Sequence, residues 1–155
     1  MSWQYKVTDL AAIIGAPPPA GEVTVSGVST DTRTLQPGQV FFALSGEKFD
    51  GNQYVESALA AGAAAVVTQR VDAARPFLTV ADPLAALQRF AAWHRQRCGT
   101  RVVAITGSCG KTTSKNMTAA LLGAKYRTQK TQGNLNNEIG CPLSLLSLQP
   151  DTEYM

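Results

Sequence analysis

Between residues 102 and 124 the chain passes from a short apolar run, Val102-Val-Ala-Ile105, into Thr106-Gly-Ser-Cys-Gly-Lys-Thr-Thr113. Apolar residues at helical spacing follow at Met117, Ala120, Leu121 and Ala124. A β-type run, a glycine loop, Lys-Thr and a helix, in that order, form the context of a phosphate-binding loop. Gly107 and Gly110 let backbone N–H groups approach an anion without a Cβ in the way. A helix beginning near Lys111 would aim about half a positive charge and its free N–H donors at that anion. Lys111 adds a full charge suited to the outer phosphates, and the Thr112 hydroxyl suits Mg²⁺. Ile105 stands where the general pattern has its first glycine, so this is a shortened form, Gly-Ser-Cys-Gly-Lys-Thr. Cys109, beside Lys111 and just ahead of a helix start, is expected to alkylate fastest of the three thiols, the alternative being an inert residue packed under the loop.

Upstream, Leu10, Ile13 and Ile14 follow Thr8 as a possible N-cap and stop at Gly15 and the Pro17-Pro18-Pro19 run, which predicts a short helix. Val23-Thr-Val-Ser-Gly-Val28 reads as a strand, and Val40-Phe-Phe-Ala-Leu44 after Pro37-Gly38 as a buried one. Tyr54, Val55, Ala58 and Leu59 keep helical spacing up to Gly62, and two further strands are expected at Ala63–Val67 and Phe77–Val80. Asp82-Pro83 is a strong helix start, a carboxylate to cap and a proline suited to the first helical position, and it sets the expected domain boundary near Ala81. His94, the one histidine of the chain, falls on the apolar face of that helix and reads as a packing residue, since one ligand makes no metal site.

With 155 residues, 45% hydrophobic and 16% charged, the chain is globular and long enough for one ordinary domain or two small ones. No apolar run reaches the ~18 residues of a membrane span, and the first residues lack the pattern of a secretory signal. Cys98, Cys109 and Cys141 form no Cys-x-x-Cys frame, which argues against a disulfide scaffold or a zinc site. The net charge of +3 is too small to require nucleic acid, but it is unevenly spread. Residues 1–81 carry five Lys/Arg against seven Asp/Glu, and residues 82–155 carry nine against four. The basic half is the one with the glycine loop, so a polyanionic ligand is expected there.

The shortened loop after Val-Val-Ala-Ile resembles the ATP loop of the Mur ligases and the related folylpolyglutamate synthetases. Three more segments match that family in order: Ser29-Thr-Asp-Thr-Arg33, Pro37-Gly-Gln-Val-Phe-Phe-Ala-Leu44 with Gly46-Glu-Lys-Phe-Asp-Gly51, and Gly133-Asn-Leu-Asn-Asn-Glu-Ile-Gly-Cys-Pro142. The resemblance implies an α/β fold with a small uridine-nucleotide-binding domain over residues 1–81. The start of a mostly parallel-sheet ATP-binding domain would follow over residues 82–155. It implies an ATP-dependent ligase that activates a carboxylate as an acyl phosphate for attack by an amine, working in the cytoplasm as a monomer on peptidoglycan precursors. The Gly133–Pro142 segment resembles the member whose substrates are UDP-N-acetylmuramoyl-tripeptide and D-alanyl-D-alanine. Another Mur ligase, adding a third-position diamino acid, and a non-catalytic nucleotide-binding module are the alternatives.

Carried over by position, Gly107, Ser108, Cys109, Gly110, Lys111, Thr112 and Thr113 would hold ATP, with Lys111 and Thr112 catalytic and Thr112 on Mg²⁺. Thr32, Glu47, Lys48, Phe49 and Asn134 would lie near the nucleotide-sugar substrate. Read without the family, Asp31 to Arg33 could equally be an exposed turn with an ion pair, and Asn134, Asn136 and Asn137 turn residues. The family's acidic Mg²⁺-binding strand, its catalytic histidine region and its C-terminal domain are not among these residues, so the chain is expected to be an N-terminal fragment, inactive on its own.

Overall fold

The computed structural model describes residues 3–19, 21–46, 49–72, 75–133 and 135–155. Strand β1 (Tyr5–Lys6) runs straight into helix α1 (Val7–Ile14), which buries Val7, Leu10, Ala11 and Ile14 on one face and ends on Gly15 at φ 75°. The helix therefore starts one residue before Thr8, with Lys6 at its N-cap and no side-chain cap. The run expected as one strand over 23–28 is two: β2 (Thr24–Val25) pairs antiparallel with β1, while β3 (Val28–Ser29) joins another sheet.

That second sheet continues with β4 (Val40–Phe42), buried at every position. A hairpin of β5 (Ser45–Gly46) and β6 (Phe49–Asp50) follows, then a 3₁₀ turn over Gly51–Tyr54 and helix α2 (Val55–Ala60). Strands β7 (Ala65–Thr68) and β8 (Phe77–Thr79) complete a four-stranded parallel sheet in the order β3-β4-β7-β8. β4 (Val-Phe-Phe) and the Ala65–Val67 part of β7 are continuous apolar runs, as strands covered on both faces require. One face closes with Leu35, Phe41, Ala43, Val55, Ala58, Val66 and Phe77. At Gly51 a Cβ would come within 2.3 Å of the Leu44 carbonyl oxygen, so the chain can leave the hairpin for the 3₁₀ turn only on glycine.

Helix α3 (Pro83–Cys98) is capped as its sequence predicts: the Asp82 carboxylate accepts from the N–H groups of Leu84 and Ala85 at 2.9 and 3.1 Å. By its contacts the chain divides inside this helix, into residues 1–91 and 92–155, ten residues beyond the boundary expected near Ala81. The first turns of α3 belong to the first unit because Ala86, Leu87, Phe90 and Ala91 are buried in it. There Phe90 meets Trp3 edge-on at 5.5 Å, and the Arg89 guanidinium donates to the Ile14 carbonyl at 3.3 Å.

The second unit holds the end of α3, α4 (Lys111–Gly123) and α5 (Gly140–Leu146). Its strands are reduced to single rungs: Tyr154 bridges in parallel to Arg101 on one side and Thr128 on the other. The β-type run at Val102–Ile105 is thus not a strand here. Only its start is paired, by Arg101 N–H to Glu153 and Val103 N–H to Met155, and Val102 and Val103 are exposed. A strand needs a ladder as well as β-branched residues, and this ladder has its last rung at the Tyr154 level. Buried polar contacts tie the unit together: the Thr100 hydroxyl donates to the Thr152 carbonyl at 2.8 Å, and His94 Nε2 lies 3.0 Å from the Leu148 carbonyl. Among the described residues no helix is long and apolar enough to cross a membrane.

Candidate functional site

The glycine loop lies exposed over Thr106–Gly110 and enters α4 through Gly110, the N-cap residue at φ 78°. Gly107 is also left-handed, at φ 147°. A Cβ on Gly110 would find nothing within 4 Å and one on Gly107 only the Cys109 carbonyl at 3.7 Å, so backbone conformation, not space, requires glycine at both. In the first turn of α4 the N–H groups have no intrahelical acceptor, apart from Ser114 N–H, which reaches the Gly110 carbonyl at 2.9 Å. The Lys111 ammonium curls back over the loop, donating to the Gly107 carbonyl and, at 3.5 Å, to that of Ser108. Thr112 and Thr113 are exposed on the same turn, as are Ser108 and Cys109. Free amides, a helix N-terminus and an ammonium on one exposed turn are the donor set a polyphosphate needs. All seven residues expected at this loop are brought together. Among the described residues no group of three or more His, Cys, Asp or Glu is placed to hold a metal ion, and Thr112 offers one exposed hydroxyl at the loop.

The three cysteines are free thiols; Cys109 and Cys141 are exposed, whereas Cys98 is half-buried and burial pushes its thiol up.

Beside the loop runs a groove of about 380 Å³, lined by Val103 and Ile105, by Lys111, Thr112 and Lys115 of α4, and by Thr131, Gly133 and Leu135. Lys115 joins this groove although no motif in the sequence singles it out. Its ammonium donates to the Thr131 carbonyl at 2.8 Å and to that of Gly133 at 3.3 Å. In return Lys130 donates to the Asn116 side-chain oxygen at 2.8 Å. The signal was a lysine four residues after Lys111, hence on the same helix face.

The expected nucleotide-sugar residues are in the other unit, except Asn134. Thr32 lies in the turn after β3, between Asp31 and Arg33, whose side chains form a two-pronged ion pair at 2.6 to 3.1 Å. The guanidinium holds the Asp31 carboxyl down, to about 2. Phe49, half-exposed, lies in the β5–β6 hairpin, after β4. Thr32 and Phe49 thus both follow the carboxyl ends of neighbouring parallel strands, the edge at which open α/β sheets receive ligands. Glu47, Lys48 and Asn134 lie outside the described residues. Behind Phe49 the Asp50 carboxylate accepts from the Ser45 hydroxyl and from both the backbone and the amide of Asn52, which hold it below the usual carboxylate range. The Asn52 amide oxygen in turn accepts from Thr68 at the end of β7 at 2.6 Å. This polar brace was not legible in the sequence, because its members meet only across strands.

The family model "Mur ligase family, catalytic domain" matches residues 24–95, and "Mur ligase middle domain" matches residues 105–155. The UDP-N-acetylmuramoyl-tripeptide–D-alanyl-D-alanine ligase of Bacillus subtilis is 46% identical over 142 residues, 89% of this chain and 31% of that protein. A crystal structure of MurF from Acinetobacter baumannii superposes with a TM-score of 0.88 at 34% identity, covering 99% of this chain and 35% of the other. MurF ligase from Thermotoga maritima, solved in complex with ADP, superposes with a TM-score of 0.71 at 32% identity over 83% of this chain and 30% of its own. The chain spans about a third of the length of the curated relatives it matches. With the glycine loop, the parallel sheet and the ordered motifs all falling inside the matched segments, this chain belongs to the Mur ligase family.

Proposed function

We propose that this chain supplies the nucleotide-binding parts of an ATP-dependent ligase that joins D-alanyl-D-alanine to UDP-N-acetylmuramoyl-tripeptide in peptidoglycan synthesis. The observation that carries the reading is the Gly107–Thr113 turn: two left-handed glycines, unpaired helix N-terminal amides and Lys111 converge there, and the Thermotoga maritima relative was solved with ADP. Residues 1–81 take the uridine nucleotide, with Thr32, Glu47, Lys48 and Phe49 in contact with it, and residues 82–155 take ATP. Lys111 exchanges its loop carbonyls for the outer phosphates, where its charge offsets that of the nucleotide. Gly107, Ser108, Cys109, Gly110 and Thr113 cradle the phosphates chiefly through backbone N–H groups. Thr112 would give Mg²⁺ one oxygen, and the ion would offset charge on the phosphates. ATP supplies the phosphoryl group that turns a carboxylate oxygen into a leaving group. Asn134 contacts the nucleotide-sugar, and the cytoplasm, where nucleotide precursors are made, is the site of action. Residues 1–155 alone bind these ligands without forming the amide bond.

Isothermal titration of the chain with Mg-ATP tests the reading. Wild type is expected to bind, and Lys111→Ala to bind at least about tenfold more weakly, since a charge on phosphate is worth a kcal/mol or more. An unchanged affinity in Lys111→Ala would reject the assignment.

A further inference from the structure

The phosphate-loop helix carries two lysines one turn apart, and their ammonium groups point to different work. Lys111 folds back onto the loop that precedes it. Lys115 reaches sideways, to the carbonyls of Thr131 at 2.8 Å and Gly133 at 3.3 Å. Both carbonyls belong to the segment that precedes position 134 in the chain. Gly133 is left-handed, at φ 55°, so the chain turns sharply just where the ammonium grips it. A second bond runs the opposite way between the same two elements, from Lys130 to Asn116. The far flank of the segment is held as well. Asn137 accepts from Gly140 N–H at 2.7 Å, and a Cβ at Gly140 would come within 2.6 Å of the Leu135 Cα, so α5 starts pressed against the Leu135 backbone.

We infer that Lys115 is a positioning residue: it registers the Thr131–Gly133 segment against the phosphate-loop helix, and through that segment supports the nucleotide-sugar contact proposed for the next residue along the chain without touching the ATP phosphates. The inference rests on the function proposed above. A charged donor shared by two carbonyls is a stronger tie than a neutral one, and it leaves the amides of the glycine loop untouched. Loss of Lys115 therefore separates two quantities that general destabilisation would move together, affinity for the nucleotide-sugar and affinity for ATP. Arginine, which also offers several donors on a long stem, retains the tie.

The experiment compares wild type, Lys115→Met and Lys115→Arg in the full chain. Hydrogen exchange is read at the amides of residues 129–133, and binding of UDP-N-acetylmuramoyl-tripeptide and of Mg-ATP by titration. Lys115→Met is expected to speed exchange of the segment at least about tenfold and to weaken the nucleotide-sugar at least about fivefold, with Mg-ATP affinity within about twofold. Lys115→Arg is expected to restore both changed quantities. Unchanged exchange in Lys115→Met, equal losses of both ligands, or failure of arginine to rescue would overturn the inference. Should Lys115→Met not fold, Lys115→Gln takes its place under the same criteria. If wild type binds neither ligand, the proposed function fails, whereas the exchange and rescue comparison still decides whether Lys115 sets the segment.

Discussion

The two units hold themselves together by different means. Of the buried hydrophobic side chains among the described residues, all but Leu146 and Leu148 lie in residues 1–91. The first unit has a four-stranded parallel sheet with apolar strands at its centre. The second has single parallel rungs at Tyr154, a helix α4 with no buried residue, and buried polar ties at Thr100–Thr152 and His94–Leu148. Burial of apolar area stabilises the first, whereas hydrogen bonds, each worth only about 1 kcal/mol net, carry much of the second. The unit with the glycine loop is the one whose own packing is thinner.

The strongest challenge to this contrast is a truncation in the core of the first unit. Phe41→Ala, at a 2% exposed position in the middle of β4, is expected to cost the first unit about 3–5 kcal/mol in urea unfolding. A loss below 1 kcal/mol would mean that the sheet core is not what holds it.

Acid separates the units next. Burial pushes the His94 imidazole below its ordinary value, and the Leu148 carbonyl only partly opposes that shift. The unfolded chain therefore binds this proton more readily than the folded one. The second unit should have its full His94 contribution above the ordinary histidine range and lose it as pH falls toward the lower folded value. The first unit has no histidine, and the Asp31 carboxyl, held down to about 2 by Arg33, keeps its pairing until far lower pH. Unfolding followed through Trp93 in a Trp3→Phe background should show the second unit weakening between pH 7 and 5, ahead of the first. A profile flat over that interval would remove His94 from the account.

The smallest effect belongs to Leu121→Ala. At 75% exposure on α4 it removes a side chain that packs on almost nothing, and the midpoint of the second unit should shift by no more than about 0.5 kcal/mol. A loss comparable to that of Phe41→Ala would show that α4 is covered in solution.

Local chemistry was the legible part of the sequence. Asp82-Pro83 caps α3 as read, because a capping carboxylate bonds N–H groups two and three residues away. The glycine loop was legible for the same reason: the left-handed turns, the helix start and Lys111 fall within seven consecutive residues. Thr8 is not the cap that its residue type suggests, because β1 pairs with β2 and carries the chain into the helix one residue early. The run 23–28 divides between two sheets because its halves find partners in different parts of the chain, β1 and β4. The β-branched run 102–105 met only the start of a ladder. The same limit hid Lys115 and the Asp50 brace, whose partners lie 16 or more residues away at Thr131 and, through Asn52, at Thr68.

The rung at Tyr154 carries a consequence for the order of assembly. In the first unit every sheet neighbour is the next strand of that sheet along the chain, and no paired residues are more than 25 apart (Val40 with Ala65), so pairing can proceed as the polypeptide emerges. In the second unit Arg101 and Thr128 meet no strand partner until Tyr154 arrives between them, 53 and 26 residues later. During synthesis the first unit can be finished while α4 and its loop are still waiting. The phosphate turn is thus among the last parts of these 155 residues to be set in place, and a ribosome paused before residue 153 would display a folded first unit with the nucleotide turn unassembled.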